Sequence, residues 1–329
     1  MTASTEASAA HRGSQQRVPD FFIVGHAKSG TTALYEMLRR HPQIYMPDLK
    51  EPWFFAGDLR LRSAPSKSNP LPRTLEEYLS LFIPARPEQR IGEATPSYLM
   101  SATAAASIAD VQPNARIIAI LREPASFLRS LHMQRVRNHT ETEPDLRRAL
   151  ALEPLRREGK ALPRDAVRPQ DLLYSEHVRY VEQLRRYHSA FSPEQVLVLI
   201  YEDFRDDNEA TVRQVLRFLE VNDALPVEQL DANPTVGVRS QRLYGLMRSV
   251  YLGRGPASQV AKAAIKALTP KQLRLEALEA TRRRLYRKPS APDASLTLEL
   301  RRRFKGEVLA LSDYLGRDLV TRWGYDEIA

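Results

Sequence analysis

The chain has 329 residues, no cysteine, 49 basic against 40 acidic side chains and a formal net charge of +9. That length fits one large α/β domain or two small ones, and the missing cysteine excludes both a disulfide framework and thiolate chemistry. No apolar run approaches the ~20 residues of a membrane-spanning helix, and all but nine of the basic residues are arginine, whose forked guanidinium suits bidentate capture of phosphate and sulfate.

Residues 1–17 are rich in Ala, Ser, Thr and Gln and lack the apolar core of a secretory signal. They read as a disordered leader, which makes the cytoplasm the expected location. A single domain is expected over 18–329. Phe21 to Val24 form a continuous apolar run, as in a strand buried on both faces. A Gly-bounded loop follows, and Leu34, Met37 and Leu38 then recur at helical spacing until His41-Pro42 stops the helix. The segment 45–55 holds two prolines and the apolar anchor Trp53-Phe54-Phe55, and the polar, Pro/Ser-rich stretch 57–72 reads as surface loop. Leu75 to Phe82 reads as helix, Arg90 to Tyr98 as a short strand ending in a turn, and Ala102 to Ala109 as helix. Arg116 to Leu121 is a second buried strand, followed by a helix from Ala125 to about Arg137.

The charged stretch 138–170, with four prolines, reads as a substrate-side excursion rather than core. Ser175 to Tyr187 reads as one amphipathic helix, Gln195 to Tyr201 as a third buried strand, and Asn208 to Glu220 as a helix with its apolar stripe at Val212, Val215, Leu216 and Leu219. Asn233 to Gln241 reads as loop, 245–290 as a second, basic helical excursion, and Leu296 to Trp323 as closing helix. Strands alternating with helices predict an α/β, P-loop-like three-layer fold, its central and mainly parallel sheet flanked by helices.

The loop Gly25-His26-Ala27-Lys28-Ser29-Gly30-Thr31-Thr32 carries the chemistry. Backbone amides at a helix N-terminus after such a loop form an anion site. The nucleotide P-loop has glycines at this spacing, but its lysine follows the second glycine. Thr31 stands there instead, and the lysine, Lys28, lies inside the loop. A P-loop lysine reaches the β- and γ-phosphates of a triphosphate. Lys28 would sit nearer a group leaving from a single 5′-phosphate, so the loop suggests a donor with one phosphate and one transferable group.

Lys28-Ser29-Gly30-Thr31-Thr32-Ala33-Leu34 resembles the K-x-G-T-T-x-L loop of sulfotransferases that use 3′-phosphoadenosine 5′-phosphosulfate. The resemblance implies that Lys28 contacts the bridging oxygen of the phosphosulfate, while Ser29, Gly30, Thr31 and Thr32 hold the 5′-phosphate. It identifies Glu51, in Lys50-Glu51-Pro52-Trp53-Phe54-Phe55, with the general base of the carbohydrate-modifying and bacterial branches. Trp53 stands where some relatives carry histidine. Arg122, directly after the second strand, and Ser130, eight residues on, resemble the pair that binds the 3′-phosphate. Arg239, in NPTVGVRSQ, resembles an arginine of bacterial members that reaches donor phosphate. The R-K-G-x-x-G-D-W-K-N motif of cytosolic members is not present. His132 and His139 match no motif, and Glu93 in GEATPSY, which would orient the site or the acceptor, stands outside the assigned site residues.

The implied reaction needs no metal and releases adenosine 3′,5′-bisphosphate. Its partner is a small-molecule or carbohydrate acceptor: a sugar, a glycolipid or a secondary metabolite. A P-loop kinase using ATP and magnesium is the alternative enzyme, but no strand ends in a convincing metal-binding aspartate. A basic nucleic-acid-binding protein is the non-enzymatic alternative. Its steep salt dependence would reveal it, but the dispersed basic residues read as solvated helix faces.

Overall fold

A computed structural model describes residues 17–59, 71–163, 168–227, 237–238, 286–287 and 293–328. The chain divides into two compact units. The first comprises Met1–Glu123, Arg179–Asn233 and Ala310–Arg317; the second comprises Pro124–Val178, Pro234–Leu309 and Asp318–Ala329.

The first unit is an α/β layer structure. Its strands are β1 (Phe21–Gly25), β2 (Ile44–Tyr45), β3 (Arg90–Ala94), β4 (Arg116–Leu121) and β5 (Val196–Ile200). They form one five-stranded sheet in the order β2-β3-β1-β4-β5, with every pairing parallel. The strand expected first in the chain is therefore central, and all five of its residues are buried. Side chains alternate across it. Phe21 and Ile23 join a cluster with Leu34 and Leu38 of α1 (Thr31–Arg39) and with Val212, Val215 and Leu216 of α10 (Asn208–Phe218). Phe22 points to the other face and meets Phe55 edge-on at 5.7 Å. Each such large apolar side chain contributes about 2 kcal/mol on leaving water. Around the sheet lie α2 (Leu75–Ser80), closed by a Thr74/Glu77 capping box, then α3 (Ala104–Val111), α8 (Tyr180–His188) and α9 (Tyr201–Asp206).

The second unit contains α4 (Pro124–Arg137), α5 (Leu146–Ala151), α6 (Glu153–Arg157) and α7 (Tyr174–His177). It also holds a two-residue antiparallel pair, β6 (Gly237–Val238) with β7 (Tyr286–Arg287). The chain closes with α11 (Ala294–Leu315) and α12 (Leu319–Arg322). Among the described residues no helix is long and apolar enough to cross a membrane.

Three expectations are corrected. The stretch 138–170, read as peripheral, supplies buried residues of its own unit. Arg156 and Glu141 form a two-pronged ion pair, NH1 to Oε2 at 2.8 Å and NH2 to Oε1 at 2.9 Å, with both side chains almost fully enclosed. Burial alone would raise the Glu141 pKa; the Arg156 hydrogen bond and charge and the Glu143 amide hold it below its usual value. Opposite charges that neutralise each other can be buried together, which is why charge-rich composition misled here. The helix expected over 175–187 is two helices, because Arg179 adopts ψ 59 at the boundary between the units. Tyr201, expected at the end of a strand, opens α9. The excursion expected over 245–290 lies outside the described residues except for β7.

Candidate active site

The loop joining β1 to α1 leaves the carboxyl end of the central strand, where open α/β sheets bind ligands. Its path is strained. Lys28 has φ 65, an uncommon conformation for a residue with a Cβ. Gly30 caps α1 at φ 85. A Cβ at Gly30 would lie 2.9 Å from Phe204 Cδ1 and 3.3 Å from Tyr201 Cδ2. We expect Gly30→Ala to cost about 2 kcal/mol, from the positive φ and this crowding. Denaturant unfolding checks the figure, and an unchanged midpoint would show that the loop relaxes freely.

The first turn of α1 opens toward the loop. Gly30 offers no side-chain cap, so the first amides of α1 are left to face the loop, the arrangement that can receive an anion at a helix N-terminus. Ser29 is fully buried, and its hydroxyl finds no partner among the described residues. A buried polar group left without a partner calls for an explanation, and a phosphate oxygen supplies one. The loop is braced from beneath. His26 Nε2 lies 2.7 Å from Gln183 Oε1 of α8, and the His26 amide donates to the Ile120 carbonyl at 2.6 Å.

Arg122 emerges from β4, the neighbour of β1. Its NH1 donates to the Lys28 carbonyl at 2.8 Å, and its guanidinium lies over the Tyr201 ring, 4.5 Å from the centroid. Tyr180 OH donates to the Arg122 carbonyl at 2.9 Å, while the Glu123 amide donates to Glu202 Oε1 at 3.3 Å. Tyr201, Tyr180 and Gln183 escaped the sequence reading. Tyr201 had one available signal: like Arg122, it follows a buried strand at its carboxyl end.

Glu51 lies one strand away. Its amide donates to the Ala94 carbonyl at the end of β3, 3.1 Å away. Both Glu51, φ 60, and Trp53, φ 58, are left-handed on either side of Pro52; for a bulky residue that is a genuine outlier. The Glu51 carboxylate receives Lys50 Nζ at 2.8 Å and stays 39% exposed. Beneath the turn, Glu93 is completely buried. Burial raises its pKa to about 7 against hydrogen bonds from Thr95, Tyr78 and Tyr98, and the Glu51 charge adds to the rise.

The structure thus brings Lys28, Ser29, Gly30, Thr31, Thr32 and Arg122 to one sheet edge, with Glu51 beside β3. Ser130 lies buried on α4 in the second unit, and Arg239 lies outside the described residues. His132, also on α4, is buried with its Nε2 2.9 Å from the Glu143 carbonyl, and burial lowers its pKa.

A sequence model of the sulfotransferase family matches residues 19–224. The chain is similar to the Dictyostelium discoideum protein named membrane-associated sulfotransferase kil1, 34% identical over 111 residues, which are 32% of this chain and 21% of that protein. It is also similar to human carbohydrate sulfotransferase 15, 30% identical over 152 residues, covering 34% of this chain and 26% of that protein. The chain therefore spans about a fifth to a quarter of the length of these curated relatives. Among solved structures, a sulfotransferase from Alicyclobacillus acidocaldarius superposes with a TM-score of 0.65 at 26% identity, covering 93% of this chain and 99% of that one.

Proposed function

Because the chain belongs to the sulfotransferase family, we propose that it moves a sulfuryl group from 3′-phosphoadenosine 5′-phosphosulfate to an acceptor hydroxyl on a sugar, glycolipid or secondary metabolite. The observation that carries this reading is the loop itself: Lys28 held at positive φ, the buried unpartnered Ser29 hydroxyl, and Arg122 clamped to the Lys28 carbonyl. That donor set fits a phosphate-bearing anion.

In the proposed reaction Glu51 takes the acceptor's proton as the acceptor oxygen bonds to sulfur. The bond from sulfur to the 5′-phosphate oxygen breaks, and Lys28 meets the negative charge that grows there. The amides from Ser29 to Thr32, with the threonine hydroxyls, hold the 5′-phosphate. The family resemblance assigns a 3′-phosphate contact to Arg122 and to Ser130, and a donor-phosphate contact to Arg239. No step requires a metal. A cytoplasmic place in secondary metabolism remains the expectation that the sequence raised; one relative is by name membrane-associated.

Thermal-shift titration tests the donor. Adenosine 3′,5′-bisphosphate at a hundredfold excess over its Kd is expected to stabilise the protein by about 2.7 kcal/mol. ATP with magnesium is expected to do much less, and selective stabilisation by ATP with magnesium would overturn the proposal.

A further inference from the structure

The turn that presents Glu51 is held at three points, and two of them lead to one side chain, Glu93. At its start, the Glu51 amide is bonded to the carbonyl of Ala94, the residue after Glu93. At its end, the Phe55 amide donates to Tyr98 OH at 3.2 Å. Between them, Phe54 stacks on Tyr78 with centroids 4.6 Å apart and planes 12° from parallel. Tyr78 OH donates to Glu93 Oε2 at 2.6 Å, Tyr98 OH reaches the same oxygen at 3.3 Å, and Thr95 Oγ1 donates to Oε1 at 2.5 Å. Because Tyr98 OH accepts from Phe55, its own proton is left to point at Glu93.

We propose that Glu93 is a positioning residue for the general base: its buried carboxylate orients Tyr78 and Tyr98, which fix the strained turn carrying Glu51. This rests on the sulfotransfer reading and deepens it. A turn with left-handed residues at 51 and 53 keeps that shape only when its surroundings over-determine it, and the Glu93 network does so from below.

Titratable groups face Glu93 from every side. Tyr78 comes from α2, Tyr98 from the turn after β3, Glu51 from the turn above and Tyr187 from α8. Burial, with the Glu93 charge, pushes the Tyr78 and Tyr98 hydroxyls well above their usual pKa, so both stay protonated and act as donors. Glu93 itself, raised to about 7, changes charge near neutrality. Above that pH it is a carboxylate accepting three hydroxyls, and hydrogen bonds to a charged acceptor are the stronger ones. Below it, Glu93 is neutral and holds Tyr78 and Tyr98, and through them the turn, less firmly. Activity is therefore expected to rise through pH 7.

The test compares wild type with Glu93→Gln, which keeps the shape and removes the charge, and with Tyr98→Phe, which keeps Glu93 and cuts its link to the turn. Trp53, in the turn, gives a readout independent of catalysis when the other tryptophan, Trp323, is replaced by phenylalanine in each protein used for fluorescence. Wild-type tryptophan emission is expected to titrate with a midpoint near pH 7, and Glu93→Gln to be flat there. Both variants are expected to lose about tenfold in kcat while their calorimetric Kd for adenosine 3′,5′-bisphosphate is unchanged. The wild-type rise of kcat through pH 7 is expected to vanish in Glu93→Gln. A Glu93→Gln protein that still titrates near pH 7, or variants with wild-type kcat, overturn the role of Glu93. Failure of the wild type to bind the bisphosphate overturns the donor reading instead, and the fluorescence titration still decides whether Glu93 controls the turn.

Discussion

Replacing Lys28 by alanine is expected to lower kcat by about 10²–10³ while leaving the fold and donor-product binding largely intact. The magnitude is that of removing one pre-positioned group from developing charge, and 10³ corresponds to about 4 kcal/mol of barrier. Alanine is the informative choice. Like lysine it carries a Cβ, so the strain of φ 65 at this position is unchanged. Glycine would relieve that strain and confound the measurement. The Lys28 contact with Arg122 uses the backbone carbonyl, so it survives the substitution. The side chain is half-buried and belongs to no core cluster. Steady-state kinetics with calorimetric titration of adenosine 3′,5′-bisphosphate separates the outcomes: near-normal kcat removes Lys28 from the chemistry.

Glu51→Gln is expected to reduce kcat by about 10²–10⁴, the usual contribution of a positioned proton acceptor, with unchanged affinity for the bisphosphate. Glutamine preserves size and the left-handed backbone. It gives up the ion pair with Lys50, whose partners are 19% and 39% exposed; such pairs contribute less than about 1 kcal/mol, so the melting temperature should barely move. If Glu51 served only as a partner for Lys50, Glu51→Gln and Lys50→Met would behave alike and both would retain turnover. That result would transfer the base to another residue.

Much of this was legible in the sequence for a physical reason. A strand buried on both faces must be apolar without interruption, and Phe21–Val24 and Ile117–Leu121 announce themselves that way; Val196–Ile200, expected as a third buried strand, ends the sheet order and has its first three residues only partly buried. A phosphate loop needs glycine where the backbone turns left-handed, and Gly30 stands there. What stayed hidden depends on contacts distant in the chain. Gln183 meets His26 across 157 residues, and no local pattern encodes that. Arg156 and Glu141 look like surface charges until the fold pairs them. The break at Arg179 carries neither glycine nor proline, so the amphipathic pattern ran on through it. Glu93 was visible as a candidate, but its influence runs through Tyr78 and Tyr98, whose aromatic rings read simply as core.

The central place of β1 also constrains how the protein comes to be folded. The loop from Gly25 to Thr32 is local in sequence, yet β1, which leads into it, takes its shape between β3 and β4, and Phe21 pairs with both Gly92 and Arg116. During synthesis the Phe-Phe-Ile-Val segment has no partner strand until β3 emerges about 70 residues later, and its other neighbour, β4, follows about 25 residues after that. Such non-local pairing is slow, and it leaves an apolar segment exposed meanwhile. A fragment ending before residue 116 contains every residue of the loop but lacks the strand that holds it in place. The geometry of the β1–α1 loop is thus completed only by strands that lie far from it in the sequence.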